Sequence, residues 1–390
     1  MPVPFWLPAL LGFLTAVGPV STDMYLPAFP AIEASLGGRP GAAQVTLATW
    51  FLGLAAGQMT QGTLADRLGR RTPLLAGTAL YTLASAGCAL APDLFTLALM
   101  RALAAFGGSA SMVIPRAVVR DLADGQEAAR LMSRLFLVMG AAPILAPTLG
   151  GFVLRFAGWH AIFWIAAVYG VICCALVWRF LPETLPLARR TRIGAGGLLS
   201  RFATILRERG FVSHTLMLGC TGFAMFAYLG GSPDTFIVRF GLAPSRFGIL
   251  FGACAAGFIG ASQLNPRLGA WLGAGTVMRA AVRVALAASV GLVGFAAADA
   301  GPWWALAALV WVCMACMGFS NPNAMVGALS RHAAHAGSAS ALMGTLQYLL
   351  AAMSGLLVGL AADHTARPMA ALIFLGSLGA AAADLFRPRR

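Results

Sequence analysis

Three ionisable side chains stand in stretches that are otherwise apolar. Asp23 lies in Ser21-Thr-Asp23-Met-Tyr25, Arg101 in Arg101-Ala-Leu-Ala104, and Asp234 directly after Ser232-Pro233. An ionised group deep in a bilayer costs at least ~2.5–3.5 kcal/mol, so each is a candidate for chemistry. A desolvated carboxyl holds its proton until a cation displaces it, and competition of that kind can couple a proton to a second cargo. An arginine keeps its charge and needs carbonyls, amides or an acid around it. The plain alternatives are a solvated helix-end acid for Asp23, a loop acid beside Pro233 for Asp234, and a snorkelling side chain for Arg101.

A denser pattern follows at Gly62-Thr-Leu64-Ala-Asp66-Arg67-Leu-Gly69-Arg70-Arg71. Arginines alone would serve as topology signals, whereas Asp66 between glycines can pair with an arginine or a helix end and hold one conformation. Pro143, Pro147, Gly150 and Gly151 would bend a helix and let another approach closely. Gln58, Asn321, Asn323, Gln347 and Tyr348 could hydrogen-bond a ligand or bridge neighbouring helices. Among the aromatic residues, Tyr25, Trp50, Phe51, Tyr228 and Phe319 could line an apolar cavity or pack as core. His332 and His335 read as solvated loop residues.

These residues need membrane helices to position them. Of 390 residues, 59% are hydrophobic and 10% charged, with a mean hydropathy of +0.81. A soluble domain is about 25% charged, so a water-soluble fold is excluded. Apolar runs near the ~20 residues of a spanning helix recur at 5–25, 43–62, 73–91, 94–116, 131–154 and 159–180. A second set falls at 211–232, 244–264, 276–298, 302–328, 338–361 and 367–386. The division is therefore a six-helix bundle over 1–180, a basic connection over 181–210 and a second six-helix bundle over 211–390. Arg67-Leu68-Gly69 after the second span and Arg267-Leu268-Gly269 after the eighth mark equivalent places in the two halves, whose interface is the expected binding site. Gly53-x-x-x-Gly57 and Gly355-x-x-x-Gly359 are expected helix contacts.

All 27 basic residues are arginine, and the net charge is +14. Loops on the side of the 62–73 connection, with the C-terminus, carry 21 of them against five on the other side, which places both termini in the cytoplasm. With no recognition module between the spans, nucleic acid is excluded as a partner. The seven cysteines lie mostly in apolar segments and read as packing residues; Cys313-Met-Ala-Cys316 has no second pair or histidine cluster to complete a metal site. The first apolar run lacks a basic leader and reads as a retained helix. No nucleophile elbow, zinc-helix histidine pair or phosphate-binding loop is present, so neither an enzyme, a cofactor nor a nucleotide drive is expected.

The 62–71 pattern resembles the loop between helices 2 and 3 of the major facilitator superfamily. Ser21 through Pro30, Ala141 through Gly151, Leu181-Pro-Glu183-Thr-Leu185, Gly318 through Ala324 and Ala336 through Gln347 together resemble the bicyclomycin/chloramphenicol-resistance (Bcr/CflA) branch of its drug:proton antiporters. The resemblance departs at Ala104, where that family usually has glutamine, at Thr63 in place of proline, and at Asp234 where an apolar residue is common. It implies an all-α integral membrane protein of twelve helices in two pseudo-symmetric bundles, working as a monomer in a bacterial cytoplasmic membrane. It further implies alternating access, with Asp23 and Arg101 in proton coupling and the Asp66 loop in gating; Asp234, ending the helix equivalent to the first, is a second proton-site candidate by its position alone. Gly150 and its neighbours would form an antiporter motif. The expected cargo is a small amphipathic compound exchanged for protons. The rival expectations are export of one endogenous metabolite, proton-driven import, and a receptor that binds without transport.

Overall fold

The computed structural model describes residues 6–123, 131, 141–190, 202–299, 301–330 and 336–387. Helices dominate because backbone N–H and C=O groups in a bilayer must be satisfied within their own segment. In chain order they are α1 (Leu7–Ser35), α2 (Ala42–Leu68), α3 (Arg71–Ala89), α4 (Leu94–Leu122), α5 (Ala141–Val153) and α6 (His160–Phe180). The remainder are α7 (Arg209–Arg239), α8 (Pro244–Leu272), α9 (Ala274–Ala298), α10 (Trp303–Leu329), α11 (Ala336–Ala361) and α12 (Arg367–Leu385). Among the described residues, nine of these are long and apolar enough to cross a membrane. The long helices α2 and α3 carry the polar residues around the Asp66 loop, and the described part of α5 is short.

Within the first half α4 packs on α2 and α3, and α3 packs on α6; within the second, α7 packs on α12, α11 and α10, and α10 on α8 and α9. Small residues set these distances, since a close backbone approach is what binds helices where lipid is as apolar as leucine. A Cβ on Gly53 would strike the Ala102 carbonyl, and one on Gly57 the Ser109 side chain, so that pair joins α2 to α4. Gly355 and Gly359 meet Ala48 and Gly41, joining α11 to α2 across the two halves.

The end of the molecule away from the Asp66 loop is sealed. There Gly359 lies on the Gly41 carbonyl, Gly150 on Met24, Gly151 on Pro244, and Gly248 on Pro147. These contacts bring α11 onto α2, and α5 onto both α1 and α8.

The first helix departs from its expected bounds. It does not stop at 25: it breaks at Ala16, turns irregularly through Asp23–Tyr25, and resumes to Ser35. Proline explains both breaks. Pro19 cannot donate to Thr15 and Pro27 cannot donate to Asp23, yet each fits the start of a new short helix. Asp23 is therefore interior to α1 and not at its end. α7 likewise continues past Asp234, through a π-helical segment over Asp234–Arg239, a distortion that frequently marks functional sites. Arg130, Arg134, Arg192, Arg201, Arg331, Arg389, Arg390, His332 and His335 lie outside the described residues, as does most of the expected 181–210 connection beyond Arg190.

Candidate functional site

Asp23 lies within the break in α1. Its side chain is 6% exposed and accepts a 2.9 Å hydrogen bond from the Thr22 hydroxyl. Across the seam, the Tyr228 hydroxyl on α7 lies within electrostatic reach of its carboxylate. Tyr228 stacks on Phe251 of α8, with ring centroids 5.2 Å apart. Beside this pair, Phe51 of α2 contacts Phe226 of α7 and stacks on Tyr348 of α11. An acid and an aromatic, adaptable surface thus meet where the halves join.

Arg101 does not pair with Asp23. It is 2% exposed and turned into the first half, where Nη1 donates to the Ser21 carbonyl at 2.7 Å. Its guanidinium sits 4.4 Å from the Tyr25 ring centroid and 4.5 Å from that of Trp50, with Phe163 at 5.9 Å. Aromatic faces attract a desolvated cation by their quadrupole, at about 2 kcal/mol or more each when buried. Tyr25 is fixed by hydrogen bonds to Thr46 and the Ala43 carbonyl, and Ser21 by its hydroxyl's 2.7 Å contact with Tyr81. Tyr25 and Trp50, expected to line a substrate cavity, form this cage instead.

Asp234 is buried and hydrogen-bonds Nδ1 of His364, in the α11–α12 connection, at 2.6 Å. His364 adopts a positive φ of 59°. Glu33 of α1 lies within electrostatic reach of both groups and accepts the Ala43 amide at the start of α2 at 3.0 Å.

At the opposite, basic end the Asp66 loop is a charge cluster. Arg70 Nη1 donates to Asp66 at 2.5 Å, while Nε and Nη2 donate to the two oxygens of Asp121 on α4 at 2.7 and 3.3 Å. Burial opposes the Arg70 charge, and the Asp121 and Asp66 carboxylates outweigh it, raising its pKa above the ordinary value. Glu183, just past α6, accepts the backbone amides of Arg70 at 2.8 Å, Arg71 at 3.3 Å and Leu185 at 2.9 Å. An acid at a helix N-terminus satisfies amides that have no partner within the helix. Partial burial pushes the Glu183 carboxyl up, but these amides and the Arg190 guanidinium prevail and hold it below the usual carboxylate range. Gly69, at φ +97°, leaves no room for a side chain beside Glu183. Gly62 lies one helical turn before Asp66, and Arg71 donates to the Trp178 carbonyl at 2.6 Å. Arg67 points from the last turn of α2. The described partners of Asp66, Arg70 and Glu183 named here belong to the first half or to the start of the connection that follows it.

The remaining candidates separate. Pro143 and Pro147 lie on α5, whose Gly150 and Gly151 form the sealed-end contacts. Asn321 accepts from Thr221 at 2.8 Å, joining α10 to α7, and Asn323 exchanges hydrogen bonds of 2.8 and 3.1 Å with Asn265 of α8. Gln58 lies over Gly344, and Gln347 over Gly222. Sequence reasoning did not single out Thr22, Glu33, Asp121 or His364. Asp121 follows Arg120 at the end of an apolar run and had the look of a solvated terminus; its partner lies 51 residues away.

Compared with known proteins, residues 11–356 match the family described as the Major Facilitator Superfamily. An MFS-type transporter of Bacillus subtilis, YdgK, is 35% identical over 94% of this chain and 91% of its own. A bicyclomycin resistance protein homolog of Haemophilus influenzae is 29% identical over 92% and 90% respectively. A chloramphenicol resistance protein of Pseudomonas aeruginosa is 29% identical over 95% and 82%. A solved D-xylose-proton symporter superposes with a TM-score of 0.75 at 16% identity, covering 98% of this chain and 97% of its own, which shows a shared fold.

Proposed function

Because the chain belongs to the major facilitator superfamily, a family of membrane transporters, we propose that it exports small amphipathic compounds in exchange for protons, by alternating access. The observation that carries this reading is Asp23: a buried carboxyl interior to a broken helix, held by one hydroxyl and within electrostatic reach of Tyr228 in the other half. No cation pairs with it among the described residues, so its charge in this setting must be met by a proton or by a cationic cargo. The drug-resistance names of the relatives support an amphipathic cargo.

In the cycle, a proton reaching Asp23 neutralises it and lets the seam close around an apolar cavity. Cargo arriving from the basic end displaces the proton. The sealed contacts of Gly150, Gly151 and Gly359 must part for release on the opposite side. Arg101 holds the segment that presents Asp23, because it grips the Ser21 carbonyl two residues earlier. Asp234, with His364, is placed to carry a proton at the equivalent turn of α7. The Asp66 loop, with Arg67, Arg70 and Arg71, keeps the basic ends of α2, α3, α4 and α6 in register while the halves rock.

The arginine distribution supports cytoplasmic termini, and the bacterial relatives support residence in a bacterial cytoplasmic membrane; work as a monomer in the lipid bilayer is part of the same proposal. The test is export from cells or vesicles loaded with candidate compounds, with and without a protonophore. Efflux that collapses with the proton gradient supports the reading, and efflux that continues unchanged overturns it.

A further inference from the structure

The guanidinium of Arg101 leaves a question that its ring contacts do not answer. Tyr25 and Trp50 cover its faces and Ser21 takes one N–H through a carbonyl. The Nε and Nη2 groups, which together form one edge of the guanidinium fork, find no acceptor among the described residues. Nor does the indole N–H of Trp50. Arg101 and Trp50 both line a cavity of about 10 Å³, whose walls also include Ser85, Ala104 and Ala166. None of its lining residues is acidic.

A buried charge without a counter-charge is strongly destabilising, because the attraction that would offset its desolvation is missing. Ring faces and one carbonyl soften that penalty but leave a net positive charge inside the first half. A water molecule could accept the fork edge, yet it would not cancel the charge. The cavity has room for a single small particle, a water or one monatomic ion, and the uncompensated charge favours the ion. Ala104 supplies only a methyl group to this wall, three residues after Arg101 and therefore on the same face of α4.

We infer that the cavity beside Arg101 is a halide site, taking chloride on the Nε–Nη2 edge of the guanidinium. The ion completes the counter-charge for the arginine that anchors Ser21, and so stabilises the bend of α1. This assignment rests on the geometry of the first half and not on proton coupling, so the two readings fail separately.

The experiment uses purified full-length protein in detergent, with chloride exchanged for gluconate at constant ionic strength. Binding of radiolabelled chloride is read by a proximity assay, and the melting temperature is followed in parallel. Wild type is expected to bind chloride saturably and to melt a few degrees higher in chloride than in gluconate. Removing Arg101 risks the fold, so the informative variant is Ala104→Ser, whose one added oxygen supplies an internal acceptor and takes up the small space. It is expected to remain folded, to lose chloride binding at least tenfold, and to melt at one temperature in both salts. Wild type that binds no chloride and melts identically in both salts would make water the acceptor and overturn the proposal. Chloride binding retained in full by Ala104→Ser would overturn it as well, by placing the ion elsewhere.

Discussion

Replacing Arg70 by glutamine should cost the basic end most of its cohesion, and the structure indicates how much. Arg70 has a side chain only 7% exposed, whereas Asp66 is 53% and Asp121 15% exposed. The Asp66 arm is therefore screened by solvent and contributes at most ~1 kcal/mol. The Asp121 arm is a two-point, charge-assisted contact in a mostly buried setting, for which ~1.5–3 kcal/mol is typical. Together they set an expected loss of ~2–4 kcal/mol for Arg70→Gln, with most of it residing in the pair with Asp121. A double-mutant cycle with Asp121→Asn, read by reversible unfolding in mixed micelles, isolates that pair. The expected coupling is ~1.5–3 kcal/mol, against under ~1 kcal/mol in the matching cycle with Asp66→Asn. Equal coupling in both cycles, or none with Asp121, would refute the assignment of Asp121 as the main anchor.

Other consequences can be measured in the same preparations. The Glu183 carboxyl is held below its ordinary range, so its contribution is present above the unfolded carboxylate value of ~4.3 and is lost as pH falls through the lower folded value. Glu183→Gln should therefore melt below wild type at neutral pH, with the difference vanishing under strong acid; a constant gap across pH would count against amide capping. Gly150→Val places a Cβ on the Met24 carbonyl and should lower the melting temperature, overpacking costing ~1–3 kcal/mol. Gly260→Ala, in open space on α8, should leave it equal or higher, and the reverse order would show the sealed end to be wrongly drawn. Because His364 is 46% exposed, its pairing with Asp234 should couple by no more than ~1 kcal/mol in a cycle of His364→Gln and Asp234→Asn, and a much larger value would mean a buried pair.

The helical class and the recurrence of apolar membrane helices were legible in the sequence, because hydropathy reports directly on a bilayer. Helix ends were less so. Pro27 and Pro30 look like a stop signal after Asp23, yet proline also opens helices, and α1 runs on to Ser35. The sequence left carbonyls, amides or an acid open as partners of Arg101. In three dimensions Arg101 takes a carbonyl, that of Ser21, with the rings of Tyr25 and Trp50, while Asp23 is held by Thr22. The pairing of Asp234 with His364 spans 130 residues, and no local spacing encodes it. The Asn265–Asn323 exchange was equally hidden, since a single polar residue in an apolar run gives no hint whether it faces a ligand or another helix.

The central claim is that Asp23 exchanges a proton for cargo. Everted membrane vesicles with an established inside-acid gradient and a pH-sensitive dye test it directly, comparing wild type with Asp23→Asn as chloramphenicol-type compounds and cationic amphiphiles are added. Compound-induced proton release by wild type, lost in correctly inserted Asp23→Asn, is the predicted result. Equal release by both proteins would contradict it and move the proton to another group, with Asp234 the next to replace.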